Sequence, residues 1–253
     1  MELLVEARQL SAVEPDGMLF TAVDAIVHKG DVAVISGNPG TARTALMLAL
    51  SGRFTLTAGT LHTADGAAFG AAALRRRIAV AQALPVIRTE SSLRVSEAIA
   101  ECRIIGGRKN VTAQAVWHAL TAMGSEMPPP NVLVQDMGTV EQILFGLALA
   151  YTQNADGICF DDVDGSLPLP DREFVRAAVR DLASLGPALI VTSCDPGWGT
   201  VDIPLLPAQS PVSRAQAAQP VQDSAEHVCG HSPDQDAKHD VPDEPQEAAG
   251  EEA

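Results

Sequence analysis

The stretch ISGNPGTARTALMLALSG, Ile35–Gly52, holds the residue types and spacing that point most directly to chemistry. An apolar run, Val32–Ile35, leads into Gly37 and Gly40, and an apolar-periodic helical pattern follows. A phosphate cradle requires that order of strand, glycine loop and helix. The backbone N–H groups of such a loop, with the positive end of the helix, equivalent to roughly half an elementary charge, surround phosphate oxygens. Gly37 and Gly40 are expected to keep that approach open, and the candidate binding residues are Gly37, Asn38, Gly40, Thr41, Ala42, Arg43, Thr44 and Ala45. Thr44 carries a hydroxyl of the kind that binds Mg²⁺. Two positions depart from the usual loop: Ala42 stands where glycine is found and Arg43 where lysine is found. A methyl at position 42 resists positive φ, and a planar guanidinium is a poor substitute for a compact ammonium between two phosphates. An ordinary strand-to-helix turn that binds nothing is the competing reading.

A second group follows the apolar run Gly157–Phe160. The carboxylate of Asp161 is expected to hold the same Mg²⁺ ion through water. Asp162 comes directly after it. Paired acids also commonly end a strand for polarity alone, and that reading stays open.

These residues need elements to place them. Val32–Ile35, Ile78–Ala81, Gly157–Phe160 and Ala188–Val191 are continuous apolar runs without polar alternation, which suits strands buried on both faces. In REFVRAAVRDLASLG the residues Phe174, Val175, Ala178, Val179, Leu182 and Leu185 recur at helical spacing, and Gly186 provides a stop. The pattern predicts α/β architecture with a mainly parallel sheet flanked by helices. From about Arg88 to Phe145 the character changes to SLRVSEAIAECR and AQAVWHALTAMG, separated by GGRKN and followed by Pro128–Pro130, which no helix crosses. This segment is expected to be a small helical subdomain.

Composition bounds the rest. The chain has 253 residues, 46% hydrophobic and 4% aromatic, enough for one aliphatic core. A formal charge of -15 repels a polyphosphate backbone, so nucleic-acid binding is not expected, and Arg75–Arg77 is too short a cluster to reverse this. No run approaches the roughly 18 apolar residues that span a bilayer, and MELLVEARQLS lacks the basic flank of a secretion signal. Cys102, Cys159, Cys194 and Cys229 are scattered without CxxC spacing, which suits reduced thiols in the cytoplasm. Residues 208–253 hold ten acids against Arg214 and Lys238, with several prolines and almost no large aliphatics, and are expected to be a disordered acidic tail. Its His227, Cys229, His231 and His239 have no fixed scaffold for coordinating a metal.

Taken in order, the landmarks resemble the nucleotide-binding domain of ATP-binding cassette (ABC) transporters. VHKGDVAVISGNPGTARTALMLALSGRFTLTAGTLHTADG is similar to the first part of that domain, LRRRIAVAQ to the segment ending in its glutamine loop at Gln82, LALAYTQNADGICFDD to the helix and Walker B strand, and ALIVTSCD to the switch strand. The resemblance covers about Leu3–Leu206. It implies a P-loop NTPase-like fold with a small antiparallel β part and a helical subdomain at about 88–145, within a domain spanning 1–207.

It also implies ATP and Mg²⁺ as cofactors, with Thr44, Gln82 and Asp161 around the ion, and Asp162 and Cys194 at the catalytic positions. The implied partners are a transmembrane permease and a second nucleotide-binding subunit, as homodimer or heterodimer, at the inner face of the cell membrane. The chain departs from the family pattern at the catalytic glutamate, here Asp162, and at the switch histidine, here Cys194. A small residue packed at a strand end is the plainer reading of Cys194, and a surface residue stays open as the alternative for Gln82. The signature loop falls on Met137, Gly138, Thr139, Val140 and Glu141, whose bulk and charge do not suit a phosphate. The adenine-stacking aromatic has no counterpart near Glu14, and Phe20 aligns with a core position. Weak nucleotide binding with slow or absent hydrolysis is expected, with a purely structural or regulatory subunit as the alternative.

Overall fold

A computed structural model describes residues 1–205, apart from 16, 63–65, 69, 106–109 and 166. In chain order its strands are β1 (Leu3–Glu14), β2 (Gly17–His28), β3 (Val32–Ser36), β4 (Ala58–His62), β5 (Ile78–Gln82), β6 (Gly157–Phe160), β7 (Ala188–Ser193) and β8 (Val201–Pro204). Its helices are α1 (Arg43–Leu50), α2 (Ala71–Arg77), α3 (Val95–Ile105), α4 (Ala113–Ala122), α5 (Thr139–Tyr151) and α6 (Leu169–Ser184).

The strands divide by their pattern. β3, β6 and β7 are buried at every position and lie inside a parallel sheet of order β5-β6-β7-β3-β8, as their unbroken apolar runs require. β1 and β2 mix buried and exposed positions and, with β4, form an antiparallel sheet of order β2-β1-β4. A core including Leu10, Phe20, Ile35, Leu46 and Leu50 unites the antiparallel sheet, α1 and one face of the parallel sheet. A second core joins the other face to α3, α4, α5 and α6 through residues such as Phe145, Val179 and Trp198.

The helices of the middle segment form where their periodicity predicts. The GGRKN break falls mostly outside the described residues, and Pro128–Pro130 lie in the irregular segment between α4 and α5. α5 continues to Tyr151, with Leu144–Ala150 buried and in contact with β5 and β6. The stripe on α6 is narrower than its sequence suggests. Val175, Ala178, Val179 and Leu182 are buried, whereas Phe174 and Leu185, the latter just past the end of the helix, are nearly half exposed. The acidic stretch 208–253, with its four candidate metal ligands, lies outside the described residues.

Parallel register places the site. Ile35 and Ser36 pair with Thr192 and Ser193, and Phe160 pairs with Val191. The loop after β3, Asp161 after β6 and the turn after β7 therefore leave the sheet side by side at its carboxyl edge, where ligands of open α/β sheets bind.

Candidate functional site

The loop between β3 and α1 is held by its own backbone. The N–H and hydroxyl of Thr41 both donate to the Asn38 carbonyl, at 3.2 and 2.8 Å. Gly40 has φ +83 with open space where a side chain would stand, as a phosphate cradle needs. Gly37 also has a packing use that its spacing does not announce. A Cβ there would stand 2.6 Å from the Thr41 hydroxyl and 2.7 Å from the Leu205 carbonyl, so its bareness lets the loop pack against the chain leaving β8.

Ala42 sits in the left-handed region at φ 60 and ψ 28, immediately before α1. The loop thus keeps a turn that glycine makes freely and that costs an L-residue about 1–2 kcal/mol. Ala42→Gly is expected to raise unfolding free energy by about 1 kcal/mol. A denaturant midpoint that fails to rise, at unchanged m-value, would contradict this assignment of strain.

Beside the loop, one buried carboxylate gathers three elements. Asp161 is 4% exposed and accepts the Thr44 hydroxyl at 3.0 and 2.9 Å on its two oxygens. Thr192 at the end of β7 donates to Asp161 Oδ1 at 2.6 Å and accepts the Asp162 N–H at 2.7 Å. Gln82 joins through the backbone: its side-chain amide donates to the Asp161 carbonyl at 3.1 Å, and Asp161 N–H donates to the Gln82 carbonyl at 3.0 Å. Thr44, Gln82 and Asp161 are thus brought together.

The donor set fits Mg²⁺. A hydroxyl and a carboxylate in contact are hard oxygen ligands, and Mg²⁺ binds through one or two protein ligands while keeping waters and phosphate oxygens. No cluster of three or more His, Cys, Asp or Glu side chains suited to another metal occurs among the described residues. Sequence reading missed Thr192. Its signal was present in the hydroxyl pair Thr192 and Ser193, which ends an apolar run and is fully buried.

The three departures at Arg43, Asp162 and Cys194 are themselves neighbours. Arg43 Nη1 donates to Cys194 Sγ at 3.2 Å, and Nη2 stands 3.9 Å from Asp162 Oδ1. The Arg43 side chain is 11% exposed and that of Asp162 45%. Cys194 is exposed, which corrects the expectation of a residue packed at a strand end: it lies beyond β7, on the turn, where Arg43 covers its sulfur. Asp162 has φ 52, and its Oδ2 lies 2.0 Å from where a Cβ on Gly165 would stand. Only glycine at 165 admits that fold-back. Desolvation pushes the Asp162 carboxyl above the usual carboxylate range, and the charge of Arg43 opposes part of the rise.

A further chain of contacts steadies the turn after β7. Ser193 donates to Asp164 at 2.7 Å, Asp195 N–H donates to Ser193 Oγ at 2.8 Å, and Arg176 donates to Asp195 at 2.7 Å while lying over the Trp198 ring. At Met137–Glu141, the Glu141 carboxylate accepts the Gly138 N–H at 3.0 Å and so turns back on its own helix, while Val140 packs against the core. Phe20 is buried as expected.

Two cavities lie off this edge. One of about 370 Å³ opens at the amino ends of β6 and β7 beside Lys29 and Asp156. The other, about 200 Å³, is bounded by Ala81 on β5, Ala98 and Cys102 on α3, and Leu149 on α5. Backbone turns and paired side chains shape the site around Thr44, Asp161 and Thr192.

No family model and no curated protein matches the sequence. Solved structures do match in shape. cbiO1 from Clostridium perfringens, part of the ABC transporter complex cbiONQ, is 15% identical with a TM-score of 0.65 over 78% of this chain and 82% of that one. A bacterial ABC transporter cassette of dimeric structure is 16% identical, with a TM-score of 0.65 over 80% of this chain and 94% of its own. An ATP-binding cassette of an ABC transporter in its ADP conformation is 15% identical, with a TM-score of 0.60 over 76% and 81%. The chain has the ATP-binding cassette fold, with the parallel sheet, small antiparallel sheet and helices that its sequence predicts.

Proposed function

We propose that this chain is the ATP-binding subunit of an ABC-type transporter complex, binding nucleotide weakly and hydrolysing it slowly or not at all. The observation that carries the reading is the Thr44 hydroxyl at 2.9 Å from the Asp161 carboxylate, beside a loop that turns left-handed at Gly40 and Ala42. Thr44 and Asp161 would hold Mg²⁺ there, and the ion would offset negative charge on the phosphates of a nucleotide. Thr44 and Asp161 orient the site, and Thr192 fixes the Asp161 carboxylate.

The groups meant to act on water are weak. Asp162 is one methylene short of a glutamate and folds back over Gly165. The Cys194 thiol is a poor donor where an imidazole would serve. Glu141 brings an acid to the loop that would face an opposing subunit. A transmembrane permease would dock beside Gln82 and on a helical subdomain proposed at about 88–145, as the likeness to ABC transporter cassettes suggests. The complex would place the chain at the inner face of the membrane, paired with its own copy or a more intact relative. A structural or regulatory subunit is the second reading, and the contacts of Arg43 with Asp162 and Cys194 favour it.

Equilibrium binding of labelled ATP with and without Mg²⁺, followed by phosphate release, tests the proposal. Mg²⁺-dependent binding with little release is expected. Absence of binding at saturating ATP and Mg²⁺ would overturn it and leave the structural subunit.

A further inference from the structure

Three elements each carry one residue of the ion-holding cluster and, one or two residues away, one member of the Arg43 cluster. Thr44 is preceded by Arg43 on the rim of α1, Asp161 is followed by Asp162 after β6, and Thr192 leads to Cys194 after β7. The second set therefore forms a layer beside the first, at the same sheet edge. Thr44 and Asp161 would hold an ion whose charge offsets that of the phosphates of a bound nucleotide. A phosphate chain that starts at the loop N–H groups and continues past that pair would meet the turns that follow β6 and β7, which leave the same sheet edge. That space is crossed by the Arg43 guanidinium, with Cys194 Sγ at 3.2 Å and Asp162 Oδ1 at 3.9 Å.

We infer that Arg43 is a specificity-determining residue that makes this cradle prefer a nucleoside diphosphate to the triphosphate, because its guanidinium fills the terminal-phosphate position in cis. The inference rests on the nucleotide-binding reading above and names the nucleotide form that the site retains.

A diphosphate would use the loop N–H groups and the Thr44–Asp161 pair, whereas the guanidinium of Arg43 is engaged with Cys194 and Asp162. A triphosphate has to displace the guanidinium from both contacts and then sit against Asp162, a second negative group that has lost its cation. Burial and two contacts keep Arg43 in place, since its side chain is only 11% exposed and its two terminal nitrogens meet different elements. A lysine at 43 ends in one compact ammonium, which cannot span Cys194 and Asp162 together.

The test measures dissociation constants of the full chain with Mg²⁺ for ADP, ATP and a non-hydrolysable triphosphate analogue, in the unmodified protein and in Arg43→Lys and Arg43→Gln, with thermal melts confirming that each variant is folded. The unmodified protein is expected to bind ADP about tenfold more tightly than either triphosphate, the ratio that corresponds to losing one hydrogen bond to a charged group. Arg43→Lys is expected to close most of that gap by improving triphosphate affinity, with ADP affinity changed less than about threefold. Equal or tighter triphosphate binding by the unmodified protein would overturn the preference and leave the nucleotide-binding reading standing, since the guanidinium would then be clasping the third phosphate. Binding of both nucleotides only after Arg43 is replaced would overturn it as well, as a block on the whole cradle. No binding by any of the three proteins would remove both inferences together.

Discussion

Asp161→Asn is expected to lower Mg²⁺-dependent nucleotide affinity by on the order of 10²-fold while leaving the fold intact. The carboxylate is buried, 4% exposed, and its oxygens already accept the hydroxyls of Thr44 and Thr192. Asparagine has the same shape and retains one acceptor, and the threonine hydroxyls can rotate to accept from its amide. What it cannot retain is the negative charge that draws a hard divalent cation out of water. The loss is therefore confined to the metal-dependent part of binding. In the presence of a chelator, the variant should bind nucleotide at least as tightly as the unmodified protein, because the loop N–H groups are untouched and a negative charge facing the phosphates is gone. An equal loss with and without Mg²⁺ would instead mean that Asp161 serves the loop's geometry, and the ion would have to be placed elsewhere.

Much of this site was legible in the sequence because its strands are. β3, β6 and β7 are short runs without polar alternation, which suit the inside of a parallel sheet, and in a parallel sheet their carboxyl ends lie together. From there the neighbourhood of Thr44 and Asp161 follows. Side-chain destinations were less legible. Nothing in the residue type Cys says that position 194 is exposed under a guanidinium 151 positions away in sequence. Gly37 and Gly40 look alike in the sequence, yet one gives room to Leu205 and the other supplies a positive φ. Ala42 shows why: its substitution leaves the backbone path of the loop in place, and the strain is visible only in the dihedral. Phe174 and Leu185 belong to the helical period of α6, but period alone does not set how wide a stripe its neighbours cover.

The same geometry determines how hydrolysis could be increased. Replacing Arg43 by lysine, Asp162 by glutamate and Cys194 by histidine together is expected to raise phosphate release by on the order of 10²-fold, since a positioned general base contributes about 10²–10⁴-fold and a displacement of about 1 Å can forfeit 10²-fold. The three changes should be strongly non-additive, because their side chains share one space. Asp162→Glu alone supplies the missing methylene but leaves Arg43 within reach of the longer carboxylate, which pairs with the guanidinium and not with water. It also cannot follow the fold-back of Asp162, whose oxygen already fills the space over Gly165, so it has to turn outward toward the site. Cys194→His alone places an imidazole beside a fixed cation, where its charged form is disfavoured. Only with lysine at 43 is the layer cleared, and each single variant is therefore expected to gain less than about tenfold. Phosphate release by Asp162→Glu equal to that of the triple variant would show that Arg43 is no obstacle. A triple variant that binds nucleotide but stays inert would move the deficit to Met137–Glu141, where the Glu141 carboxylate caps its own helix and Val140 is committed to the core.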